Sequence, residues 1–168
     1  MNKKQINVLL VDDEEVLLDA IRRRLEFRDF NVIAVDRGEK ALTAAESNPI
    51  DVAIVDLKMP GMSGTELMLR LKQKYPWMEV IILTGHGSFN PDAVEIAGKM
   101  HTCLAKPCEV ETLQEALIDA YKKTVMNRNQ IKLREMDALL KDVETESPGA
   151  VLRKLKKIDE NWSSKPRT

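Results

Sequence analysis

Four short apolar runs, "INVLLV" (6–11), "NVIAV" (31–35), "DVAIVD" (51–56) and "EVIILT" (79–84), constrain this chain more than any other feature. A weaker fifth, "TCLA", occupies 102–105. The runs are continuous rather than alternating, and they are rich in Val and Ile. Strands covered on both faces read this way, and such strands belong to parallel sheets. The intervening segments carry helical spacing. They are "EEVLLDAIRRRLEF", "GEKALTAAESN", "SGTELMLRLKQKYP", the shorter "NPDAVEIAGK", and "CEVETLQEALIDAYKK". Ser63 is placed to cap the third helix, with Glu66 completing a capping box. Five strand–helix units with right-handed crossovers give an α/β fold, an open parallel sheet with helices on both faces.

The first run drives straight into four acids, "VLLVDDEE". Ligands of an open parallel sheet sit at the carboxyl ends of its strands. Asp12 and Asp13 end the first strand, Asp56 the third and Thr84 the fourth, and Lys106 follows the fifth. Three carboxylates brought together raise one another's pKa unless a cation neutralises them. A hard divalent ion does so, and Mg²⁺ uses one or two carboxylates together with water and phosphate oxygens. A lysine adds a point charge and a threonine a hydroxyl. The set describes a pocket for a phosphoryl group beside Mg²⁺, with a carboxylate as nucleophile.

The 168 residues suit one domain and an appendage. With 43% hydrophobic residues the chain can build a proper core. The formal net charge of −1 gives no global argument for nucleic acid or an anionic membrane. No apolar run approaches the roughly 20 residues needed to span a bilayer. Cys103 and Cys108 are too few and too close for a disulfide framework, which fits a reducing cytoplasm. They read as small buried hydrophobes rather than a redox pair. With His86 and His101 they match no standard zinc spacing. Trp77 and Trp162 read as packing or surface residues.

"LLVDDEE", "DVAIVDLKMPGMSG", "VIILTGHGS" and "LAKP", in this order, resemble the receiver domain of two-component response regulators over roughly residues 5–122. The resemblance implies a flavodoxin-like (βα)5 doubly wound sheet with strand order 2-1-3-4-5. It implies that Asp56 is the phosphoacceptor, taking a phosphoryl group from the phosphohistidine of a sensor histidine kinase or a histidine phosphotransfer protein. Asp12, Asp13 and Asp56 would hold Mg²⁺ with the backbone carbonyl of Lys58, and Thr84 and Lys106 would bind phosphoryl oxygens. The Lys106–Pro107 peptide would be cis, Gly61 and Gly64 would shape the loop after the third strand, and Gly85 would leave Asp56 uncovered. Lys58 and His86 would tune the lifetime of the phosphorylated state, and the first helix, with Ile21, would face the kinase. No dedicated substrate turnover is expected; such a domain catalyses its own phosphorylation and slow dephosphorylation. The chain departs from the family at Cys103, where an aromatic residue usually couples to the threonine, at Cys108, usually Phe, and at "GKMHT", which replaces a "GA" turn.

The receiver is assigned to residues 1–122 and a helical C-terminal extension to 123–168. Val110, Leu113, Leu117, Ala120, Thr124, Asn127 and Ile131 keep helical spacing, so the fifth helix can run on. The register then moves to Leu133, Met136, Leu140 and Val143, and two polar positions before that phase break argue against a long coiled coil. "SPG" at 147–149 breaks this helix, and Val151, Leu155 and Ile158 mark another; "SSKPRT" frays. The extension reads as a helix or hairpin folded on its own receiver, or as a homodimerisation or effector-binding element. It is too short for an ATPase and lacks a helix-turn-helix pattern. The resulting expectation is a cytoplasmic response regulator signalling through protein–protein contact. The rivals are a phosphorelay intermediate passing its phosphate to a histidine phosphotransfer protein, an unphosphorylated scaffold, and a DNA-binding regulator.

Overall fold

The computed structural model describes residues 5–85, 98–141 and 147–164. In chain order its elements are β1 (Asn7–Val11), α1 (Glu15–Glu26), β2 (Asn31–Val35), α2 (Gly38–Ser47), β3 (Val52–Asp56), α3 (Gly64–Lys74), β4 (Glu79–Thr84), β5 (Thr102–Ala105), α4 (Val110–Lys141) and α5 (Pro148–Ser164). The strands form one parallel sheet in the order β2-β1-β3-β4-β5. The flavodoxin-like order and the C-terminal helices are as expected. The short helix expected at "NPDAVEIAGK" lies largely outside the described residues.

Every residue of β1, β3 and β4 is buried, which is why these runs are continuous rather than alternating. Alternate side chains still go to opposite faces. Leu9, Val11, Ala53, Val55, Val80 and Ile82 meet α2 and α3 through Ala41, Ala45, Leu67, Met68 and Leu71. Val8, Leu10, Val52, Ile54, Ile81 and Leu83 meet α1 and α4 through Leu18, Leu25, Leu113, Leu117 and Ala120. Two cores therefore clamp the sheet and fix where its carboxyl edge points.

Ser63 caps α3, its Oγ accepting from the Glu66 amide at 3.2 Å. The expected capping box is only half present. The Glu66 carboxylate takes a guanidinium N–H of Arg70 at 2.6 Å, because the charged partner one turn on is the stronger donor. The fifth expected helix is the long α4, uninterrupted through residue 141. α4 is described to Lys141, and Pro148 of "SPG" starts a separate α5, with the Ser147 carbonyl accepting from the Ala150 and Val151 amides. Val151 is buried, Leu155 and Ile158 are half-buried, and α5 packs against α4. On the second stripe of α4, Leu133 is 64% exposed and Met136 half-buried.

Candidate functional site

The carboxyl edge gathers Asp12, Asp56, Thr84 and Lys106 because each stands at or just past a strand end. Pairing of Asp56 with Leu83 and of Thr84 with Ala105 brings the ends of β3, β4 and β5 level. The Asp12 amide donates to the Val35 carbonyl, and the Lys106 amide to the Thr84 carbonyl at 2.7 Å, extending the ladder one residue past β1 and β5. Asp12, Asp56 and Thr84 are buried, while Asp13 is exposed.

Asp12, Asp13 and Asp56 each present a carboxylate oxygen within 4.8 Å of the other two. The Lys106 ammonium enters this cluster. It lies 2.6 Å from Asp12 Oδ2, 3.6 Å from Asp56 Oδ1 and 3.5 Å from Glu14 Oε1. Three carboxylates against one cation leave the site short of positive charge. The Asp56 carboxyl is held above the ordinary carboxylate range. Burial is the main cause. Lys106 opposes it, Asp12 and Asp13 add to it, and the Lys58 amide, donating to the carboxylate, opposes it. Burial disfavours the charged form of Lys106, but its hydrogen bond and Coulomb attraction to Asp12, helped by Asp56 and Glu14, hold its pKa above the ordinary lysine value. Hard oxygen donors clustered with excess negative charge fit a hard divalent cation such as Mg²⁺.

The loop after β3 is built by glycine. Gly61 takes φ 77°, in the left-handed region. A Cβ on Gly64 would sit 2.0 Å from the Asp56 carbonyl oxygen, and the Gly64 amide donates to the Leu57 carbonyl at 3.0 Å. Among the described residues, nothing lies within 4 Å of where a Gly85 Cβ would be. The Thr84 hydroxyl donates to the Gly85 carbonyl at 3.3 Å. Lys106–Pro107 is cis. His86 falls outside the described residues.

Cys103 and Cys108 are half-buried free thiols, both pushed up chiefly by burial. Cys103 packs with the α2–α3 core and Cys108 with the α1–α4 core. The sheet separates them, so they are not a redox pair. Among the described residues no zinc-like cluster forms around them.

The residues alone did not point to the polar cluster at the opposite, amino edge. Asp51 is fully buried, and its Oδ2 accepts from the Asn7 amide at 2.9 Å and from Asn7 Nδ2 at 3.1 Å. The Thr124 hydroxyl accepts from the Glu79 amide at 3.1 Å and donates to the Asp51 carbonyl at 3.0 Å. Glu79 also meets Lys72, Lys123, Asn127 and His101. The Arg128 guanidinium lies over Trp77 and 3.6 Å from Asp51. The signal was there in acids opening two buried strands and in polar residues on the core stripe of α4.

Against known proteins, a family model described as "Response regulator receiver domain" matches residues 8–118. The transcriptional regulatory protein GlrR of Escherichia coli K12 is 31% identical over 149 residues, covering 82% of this chain and 33% of that protein. A cyclic di-GMP phosphodiesterase of Thermotoga maritima is 32% identical over 127 residues, covering 73% of this chain and 33% of that protein. The chain spans about a third of the length of these curated relatives. The crystal structure of a response regulator receiver domain protein from Clostridium thermocellum superposes with a TM-score of 0.67 at 32% identity, covering 72% of this chain and 98% of that one.

Proposed function

Because the chain belongs to the response regulator receiver family, matched over residues 8–118, we propose that it signals by accepting a phosphoryl group on Asp56 from a histidine kinase or histidine phosphotransfer protein. The observation that carries this reading is the Lys106 ammonium, 2.6 Å from Asp12 and 3.6 Å from Asp56, inside a cluster of three carboxylates. Asp12, Asp13, Asp56 and the Lys58 carbonyl would hold Mg²⁺. When bound, the ion supplies charge neutralisation for the carboxylates and the phosphoryl oxygens.

Phosphoryl transfer asks mostly for positioning and electrostatics. An Asp56 carboxylate oxygen forms the new bond to phosphorus as the donor's phosphorus–nitrogen bond breaks, its electron pair returning to the imidazole. Lys106 is close enough to leave Asp12 and take a phosphoryl oxygen. The Thr84 hydroxyl is engaged by a 3.3 Å contact that a phosphoryl oxygen replaces with a stronger, charge-assisted bond. A hollow of about 140 Å³ between α1 and the start of α4, lined by Leu17, Ile21, Pro107 and Cys108, gives the donor protein an apolar foothold beside Lys106. Output then passes to a protein effector. No described helix is long and apolar enough to cross a membrane, and we place the reaction in the cytoplasm.

Intact mass after acetyl phosphate treatment, with and without Mg²⁺, tests the reading on wild type and Asp56→Asn. The expected result is a Mg²⁺-dependent gain of one phosphoryl group by wild type alone. No gain, with kinase or small donor, would favour an unphosphorylated scaffold. Rapid onward transfer to a phosphotransfer histidine would make the protein a relay intermediate.

A further inference from the structure

Three consecutive arginines lie near the end of α1, and they serve different neighbours. Arg22 is paired with Asp19 and Glu26, and Arg23 with Asp19. Arg24 instead lines the hollow between α1 and the start of α4, at an exposed position. The Glu111 carboxylate, which also attracts Arg24, is held by Arg28 at 2.6 Å. Lys106 lines the same hollow, but its ammonium is 2.6 Å from Asp12 and belongs to the carboxylate cluster. Arg24 is therefore the cation that the hollow can offer to a ligand. We propose that the hollow binds a small apolar monocarboxylate, its body a ring or branched chain of about six carbons and its carboxylate paired with Arg24.

Size and chemistry select this class. The hollow holds about 140 Å³, and an apolar cavity of roughly 150 Å³ takes up benzene. Leu17, Ile21, Leu83 and Leu113 supply apolar walls, while Ala20 and Cys108 are short and leave the space between them open. The Cys108 thiol is pushed up by burial and by Glu109, and it donates to the Glu109 carbonyl at 3.3 Å. It stays neutral and does not repel an anion. An apolar hollow with one convergent cation has the composition of a small-molecule site. Arginine suits a carboxylate in particular, because its planar fork donates two parallel N–H bonds to it. The consequence for signalling rests on the phosphoacceptor reading. There the same hollow is the donor protein's foothold, so an occupied hollow excludes that protein while acetyl phosphate still reaches Asp56. The ligand then sets how much of the receiver is open to its kinase.

Benzoate and toluene are the probes, titrated into the full chain and followed by methyl NMR. Wild type is expected to bind benzoate with a Kd of about 1 mM, shifting the methyl signals of Leu17, Ile21 and Leu113. Arg24→Gln is expected to weaken benzoate about tenfold, for the lost charge-assisted bonds, and to leave toluene unchanged. Cys108→Phe fills the hollow with a ring and is expected to abolish binding of both probes. Ala20→Leu fills it from α1 and gives the same result where Cys108→Phe alters the circular dichroism. A wild type that binds neither probe leaves the hollow to the donor protein's own side chains and overturns the proposal. So does benzoate binding that survives both filling variants, or that Arg24→Gln leaves unchanged. Binding is read without any phosphoryl donor, and phosphoryl uptake from acetyl phosphate is read separately. Failure here is therefore distinct from failure of the receiver chemistry.

Discussion

Asp56 is a buried carboxylate facing two others with one ammonium to share. Its raised carboxyl means that the folded state binds a proton more readily than the unfolded chain. The sign follows. Without metal, Asp56 favours folding at low pH, and this contribution is lost as pH rises from its ordinary 3.8 through the raised folded value. At neutral pH it costs stability. Asp56→Asn is therefore expected to raise stability in chelator-treated buffer by about 1 kcal/mol. Mg²⁺ should stabilise wild type more than the variant and narrow the gap. Urea unfolding with EDTA and with Mg²⁺ checks this, and a variant less stable than wild type without metal would refute the charge imbalance. Gly64 is the other residue-scale test. A methyl there would meet rigid backbone at 2.0 Å, so Gly64→Ala should cost roughly 3 kcal/mol, at the upper end of overpacking. It should also slow phosphorylation by displacing Asp56, as a phosphoryl-uptake time course would show.

Among the elements, α4 does two jobs. Through Leu113, Leu117 and Ala120 it closes one core, and through Thr124 it closes the amino edge of the sheet. The fully buried Thr124 hydroxyl completes the Glu79 amide and the Asp51 carbonyl. Thr124→Val keeps the shape and leaves both unpaired, at a cost of roughly 2 kcal/mol. Thr124→Ser, which keeps the hydroxyl, should cost about 1 kcal/mol for the lost methyl. Thermal melts of the two variants separate the hydrogen bonds from the packing, and equal losses would refute this role. The strands were legible in the sequence because full burial on both faces writes an unbroken apolar run, and the carboxyl-edge site because strand ends converge whatever the loops do. The amino-edge cluster was not. Asp51 and Glu79 open apolar runs as any strand-flanking acid would, and the Thr124 hydroxyl of α4 that joins them lies 45 residues from Glu79 and 73 from Asp51. The exposure of Leu133 was hidden for a related reason, since helical spacing shows that a stripe exists and not whether anything covers it.

In the whole molecule α4 joins the two edges of the sheet. It begins four residues after Lys106, at the candidate phosphoryl site, and reaches the amino edge at Thr124 about 20 Å away. The family match ends at residue 118, but the contacts that finish this fold continue. Lys123 and Asn127 hold Glu79, Arg128 faces Asp51 and Trp77, and the half-buried Ile131 packs on the α2–α3 core. Burial raises the Glu79 carboxyl, but Lys72 and Lys123 outweigh it and hold it below its ordinary 4.5. That pairing favours folding above pH 4.5 and is lost as pH falls through the depressed value. We therefore expect the fold to end near residue 132 rather than 122. A chain ending at residue 121 should lose roughly 3–5 kcal/mol against the full chain, because it strips Thr124 and Arg128 from buried partners. A chain ending at residue 135 should lose less than about 1 kcal/mol. Urea midpoints of the three chains at neutral pH decide it, and equal stability of the two truncated chains would place the boundary back at 122. At pH 4 the chain ending at 121 should close part of its deficit, because Glu79 can then be protonated instead of buried without Lys123.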